Sequence, residues 1–130
     1  MKQRVLSSLI AALVSAAACL GGCMANADYQ SIDAQTAKQM MDAQPDAVVL
    51  DVREPDEYAQ GHIPGAVLLC VGQIDAQTAQ AAIGRKDATV LVYCRSGNRS
   101  KTAASRLAQL GYENVYEFGG ILQWPYEIVR

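Results

Sequence analysis

The sequence predicts an α/β fold, a single domain with a central parallel β-sheet flanked by helices on both faces. Three observations lead there. Short apolar runs alternate along the chain with segments of helical periodicity. The run Ala88-Thr-Val-Leu-Val-Tyr93 is β-branched and apolar, as a parallel strand covered on both faces requires. The alternation occupies residues 29–130, enough for one modest core and too little for a second domain.

The elements follow in order. Tyr29–Ile32 reads as a first strand, Asp33–Ala43 as a helix, and Ala47–Asp51 as a second strand ended by the helix start Arg53-Glu54-Pro55. Residues 55–60 form a short helix, Ala66–Leu69 a strand and Asp75–Ile83 a helix. After the strand at 88–93, Ser100 opens a helix to residue 110, with Ala103, Ala104, Leu107 and Leu110 at helical spacing and Gly111 as its stop. Val115-Tyr116 is the last strand, and Gly119-Gly120 and Trp124 finish the fold. In such a sheet ligands bind at the carboxyl ends of strands. Asp51, Cys70 and Cys94 all stand at such ends.

Cys94 is the centre of the reading. It closes an apolar strand, and Arg95-Ser96-Gly97-Asn98-Arg99-Ser100 leads from it into a helix. A tight turn between a strand end and a helix start directs free N–H groups and the positive end of the helix dipole inward, which favours an anion. The anion here is the cysteine's own sulfur. Helix N-termini and neighbouring cations lower a thiol's pKa and so create a nucleophilic thiolate, and Arg95, Arg99 and Lys101 are all close in sequence.

The heptapeptide Cys94-Arg-Ser-Gly-Asn-Arg-Ser100 resembles the active-site loop of single-domain rhodaneses. A second block, Asp51-Val-Arg-Glu-Pro-Asp-Glu-Tyr58 followed by Gly61-His-Ile-Pro-Gly-Ala66, is similar to another signature of that family, in the same order and spacing. The likeness spans roughly residues 30–124. It implies a rhodanese-like domain that moves sulfane sulfur: Cys94 attacks the outer sulfur of a donor such as thiosulfate, sulfite leaves, and a persulfide remains until cyanide or a thiol removes it. No metal or organic cofactor is implied. The loop amides over Arg95, Ser96, Gly97, Asn98, Arg99 and Ser100 would hold the sulfur anion, and Arg95 and Arg99 would bind the small anionic donor and stabilise the departing sulfite, Arg99 as the closer contact.

Two other readings compete with that one. Cysteine phosphatases and arsenate reductases also set a Cys and an Arg around an oxyanion loop, but the phosphatase loop is one residue longer than the stretch from Cys94 to Arg99. A binding module, or a persulfide carrier that hands sulfur to a protein partner, differs in using a protein as acceptor. Asp51 and Arg53 are read as structural neighbours of the loop, because a preformed thiolate needs no general base. His62, the only histidine, is read as a turn anchor. Cys70 occupies a position that is commonly proline in rhodaneses. It is read either as an inert core thiol or as a resolving cysteine that approaches Cys94.

Residues 1–22 stand outside the fold. Lys2 and Arg4, the apolar or small residues 5–18 and Leu20-Gly21-Gly22-Cys23 resemble a bacterial lipoprotein signal in which Cys23 receives lipid. Cys19 offers a weaker lipobox, and cleavage near Ala25-Asn26-Ala27 would instead release the protein into the periplasm. The resemblance implies a domain tethered through residues 23–28 on the periplasmic side of a bacterial envelope, and Met24 favours the outer membrane. Without Lys2 and Arg4 the chain carries 9 basic and 13 acidic residues, a net charge of −4, which argues against nucleic acid as a partner.

Overall fold

The alternation of side chains along one central strand sorts the core into two layers. The structure, a computed structural model, describes residues 28–130. In chain order the elements are β1 (Gln30–Ser31), α1 (Ala34–Ala43), β2 (Val48–Asp51), α2 (Pro55–Gln60), β3 (Val67–Leu68), α3 (Ala76–Ile83), β4 (Thr89–Cys94), α4 (Asn98–Gln109) and β5 (Asn114–Gly120), with 3-10 turns at Val71–Gln73 and Ile121–Gln123. All five strands are parallel, in the order β1-β5-β4-β2-β3. The predicted helix-flanked parallel sheet is therefore the observed one.

On β4, Val90, Val92 and Cys94 face Ala79 of α3 and Ala103, Ala104 and Leu107 of α4. Leu91 and Tyr93 face the other way, toward Ala37 of α1, Phe118 and Trp124. Small residues on the helices let them lie close on the sheet, while the strand side chains supply the volume. Full burial of a residue such as Leu107 is worth roughly 1.5–3 kcal/mol. The helix starts are specified locally. Asp33 accepts the Thr36 amide at 2.8 Å to cap α1, Asp75 and Thr78 bond reciprocally at α3, and Glu54 and Glu57 do so at α2 behind Pro55.

Three boundaries differ from expectation, and all three bear on the site. The strand predicted at 88–93 runs Thr89–Cys94, one residue further on. The helix α4 begins at Asn98, two residues before Ser100, because Gly97 adopts a left-handed φ of +114° that turns the chain directly into the helix. The last strand runs on through Glu117 to Gly120. A buried carboxylate and two glycines do not read as strand, yet Glu117 finds hydrogen-bond partners on both sides and Gly120 pairs with Cys94.

Candidate active site

Only Arg95, Ser96 and Gly97 separate the end of β4 from the start of α4. Gly97 is the N-cap residue and has no side chain with which to cap, so the first amides of α4 are left to another acceptor. The sulfur of Cys94 takes that place: the Gly97 N–H donates to Sγ at 3.0 Å. Burial is the largest single influence on this thiol and pushes it up. The Ser100 hydroxyl and the amides of Ser100, Gly97 and Ser96 together outweigh burial and bring the thiol below its ordinary value. Backbone amides, the helix dipole and neighbouring cations were together expected to cause that lowering. Hydrogen bonds supply it, because Arg95 and Lys101 are exposed and Arg99 is engaged elsewhere.

Arg99 forms a two-pronged pair with Glu57 of α2, at 2.8 and 3.0 Å. Hydrogen bonding to Arg99 is the main reason that the Glu57 carboxyl is lowered to about 2. The arginine expected to meet an incoming anion first is thus already paired. Arg95 has no carboxylate partner among the described residues and stands at the rim with Ser96 and Asn98, while Cys94 is only 1 % exposed at the base of the loop.

The loop rests on β5. Gly120 lies against the Arg95 carbonyl so closely that any β-carbon there would overlap it, and the Leu122 amide donates to that same carbonyl at 3.3 Å. Ser100 is fully buried, and its hydroxyl lies 2.9 Å from the Gly97 carbonyl and 3.1 Å from the Glu117 carboxylate. Glu117 was not singled out from sequence, and Glu57 and Gly120 were named only as parts of the second block and of the closing turn. The available signal was an acid in the middle of Val115-Tyr116-Glu117-Phe118, where an unpaired charge would be costly.

The remaining predicted residues are held by contacts of their own. Asp51, wholly buried, accepts Arg53 Nε at 2.9 Å and Nη2 at 2.6 Å and the Tyr93 hydroxyl at 2.6 Å, and Arg53 also donates to the Gly61 carbonyl at 2.7 Å. This group ties the turn after β2 to the Tyr93 side of the sheet, opposite Cys94. His62 stacks on Tyr58 and its Nδ1 lies 2.9 Å from the Tyr58 carbonyl, as a turn anchor would. Cys70 is a buried free thiol, pushed up first by burial and then by Glu54. Cys70 and Cys94 are both free, Cys70 just beyond β3 and Cys94 at the end of β4. Cys23 and the lipobox lie outside the described residues. Among the described residues no group of three or more His, Cys, Asp or Glu side chains is placed to hold a metal ion.

What the loop can do is hold negative charge on sulfur at the end of a short ring of amides. Comparison with known proteins agrees in kind. The model of the rhodanese-like domain family matches residues 33–126. A sulfurtransferase of Allochromatium vinosum is 38 % identical over 94 residues, covering 72 % of this chain and 85 % of its own. The thiosulfate sulfurtransferase PspE of Escherichia coli is 36 % identical over 72 residues, covering 55 % and 68 %. Among solved structures, a rhodanese with anions from E. coli superposes with a TM-score of 0.61 at 31 % identity, over 65 % of this chain and 98 % of that one.

Proposed function

The chain belongs to the rhodanese-like domain family, with sulfurtransferases among its relatives, and from that premise we propose that it is a thiosulfate sulfurtransferase working through a persulfide on Cys94. The observation that carries this reading is the sulfur of Cys94 in the N-cap place of α4, 3.0 Å from the Gly97 N–H. In the first half-reaction the Cys94 thiolate attacks the outer sulfur of thiosulfate. A new S–S bond forms, the bond between the two thiosulfate sulfurs breaks, and sulfite departs with its electron pair. In the second, cyanide or a thiolate takes the outer sulfur and Cys94 leaves as thiolate, which needs no net oxidant and no general base.

The residues divide the work. Amides of the loop stabilise the negative charge on Cys94 before the attack and on the persulfide's outer sulfur after it. Arg95, exposed and without a carboxylate partner, is the cation available to the donor's sulfonate end, and Arg99 holds its place beside the loop through Glu57. The E. coli rhodanese solved with anions and the thiosulfate sulfurtransferase PspE support thiosulfate as the donor class. A thiol on a partner protein is the alternative acceptor. For the whole chain, the lipobox ending at Cys23 supports a lipid-anchored, periplasmic protein.

Intact-mass measurement after thiosulfate, with and without cyanide, tests the chemistry. The wild-type chain is expected to gain one sulfur atom that cyanide removes, and Cys94→Ser to gain none. Absence of the adduct in the wild type would remove thiosulfate as the donor.

A further inference from the structure

The strands β2 and β4 are neighbours in register, Asp51 beside Tyr93, so the turns that follow them lie next to each other at the carboxyl edge of the sheet. Glu57 of α2 and Arg99 of α4 meet across that gap, with Nη1 donating to Oε2 at 2.8 Å and Nη2 to Oε1 at 3.0 Å. Among the described residues Glu57 is the only hydrogen-bonded partner of Arg99. The carboxylate is itself fixed, because Oε2 also accepts the Glu54 amide at 3.0 Å within the reciprocal cap that starts α2. It cannot swing aside without opening that helix start.

A structural brace does not account for the pair. Both side chains are partly exposed, 33 % for Arg99 and 23 % for Glu57, and ion pairs so placed add modestly to stability. The loop is already supported from β5 by Gly120 and the Leu122 amide. What the pair alters is the charge offered to an anion. A guanidinium carries five N–H groups in a planar fork, and the end that grips two oxygens at once, one from each Nη, is the end that Glu57 fills. An oxyanion reaching Arg99 therefore meets only the remaining N–H groups, with a carboxylate of like charge beside it. Negative charge on Cys94 favours the Arg99 cation, in keeping with a guanidinium close enough to act on whatever approaches the sulfur.

We propose that Glu57 is a positioning residue that sets the anion selectivity of the site: by filling the two-pronged end of Arg99, it keeps the mouth of the loop from gripping oxyanions that carry no transferable sulfur. The proposal rests on the reading of Cys94 as the sulfur-accepting nucleophile and adds what the site rejects. Arg95 at the rim attracts the donor, and the sulfite that departs in the first half-reaction is not retained by a second, two-pronged hold.

The test is protection of Cys94 from iodoacetamide by sulfate, in the full chain at neutral pH and constant ionic strength, read by mass spectrometry on the Cys94 peptide. Sulfate has the shape of thiosulfate without the sulfur that Cys94 accepts. Glu57→Gln keeps an acceptor for the Glu54 amide and frees the charge of Arg99. The half-protecting sulfate concentration is expected to fall about fivefold, the scale of a solvent-screened ion pair. Glu57→Gln combined with Arg99→Gln keeps the net charge of the wild type and is expected to restore the wild-type concentration. Glu54→Gln removes a neighbouring carboxylate while leaving the pair intact, and is expected to change it little. An unchanged concentration in Glu57→Gln, or no protection in any form, overturns the proposal, as does an equal fall in Glu54→Gln, which would mark nearby charge alone. A double variant that needs several-fold more sulfate than the wild type also overturns it, since Arg99 would then already be gripping anions, and this comparison decides alone should Glu57→Gln not fold. A wild-type chain that gains no sulfur from thiosulfate would strike the reading of Cys94 instead, an outcome read in a separate assay.

Discussion

Glu57 does two things with one carboxylate: it bonds the Glu54 amide at 3.0 Å to start α2, and it holds Arg99 beside the sulfur. Its folded-state pKa of about 2 lies below that of an unfolded glutamate, about 4.3. The ionised form therefore favours folding. That contribution is fully present above the unfolded value and is lost as pH falls from about 4.3 through about 2. Urea unfolding across this window should show the wild type losing more stability than Glu57→Gln. At neutral pH the substitution should cost about 1 kcal/mol, since solvent screens a partly exposed pair. A parallel acid dependence in both proteins would show that the pair contributes nothing. The same residue gives Arg99 a partner that its own stretch of sequence does not show, where an arginine two positions into a helix next to a cysteine looks free. Its partner comes 42 residues earlier, on another helix.

At the scale of elements, the junction of β4, α4 and β5 makes the site. The turn after Cys94 is so short that its backbone must be supported from outside, and β5 does this by bringing Gly120 against Arg95 with no side chain between them. Gly120→Ala should push the loop away from its present geometry. The expected outcome is a loss of stability of about 1–3 kcal/mol, as for overpacked sites, together with a loss of Cys94 alkylation at neutral pH in the folded protein. Unchanged reactivity would mean that the loop holds its shape without β5. Most helices were legible in the sequence because their start signals are local: Asp33, Asp75 and Pro55 each stand where the structure uses them. The length of β5 was not legible, because what permits Glu117 inside a strand is a pair of serines from β1 and α4.

For the whole molecule, one sheet with helices on both faces leaves the site at its carboxyl edge, and no helix of the described residues is long and apolar enough to cross a membrane. The anchor we propose is the lipid on Cys23, read from the lipobox that ends there. Cys23→Ser, expressed in a Gram-negative cell, should move the protein from the membrane fraction to the soluble periplasm while the purified chain still accepts sulfur from thiosulfate. Equal membrane association of both forms would set the lipid anchor aside.

By itself the sequence determined the α/β class, the place of Cys94 at a strand end, and the family through two separate motifs, since periodicity, helix-start residues and short loop signatures are all written within a few neighbouring positions. Tertiary structure alone decided which charges meet: Arg99 with Glu57, Asp51 with Arg53 and Tyr93, and Glu117 with Ser31 and Ser100. Most of these partners are far apart in the chain, and buried polar groups choose whichever donors the packing of distant elements brings within about 3 Å. The lowering of the Cys94 thiol belongs to both levels. Its cysteine and glycine can be read in sequence, but the convergence of amides on the sulfur exists only once β4, α4 and β5 are packed together.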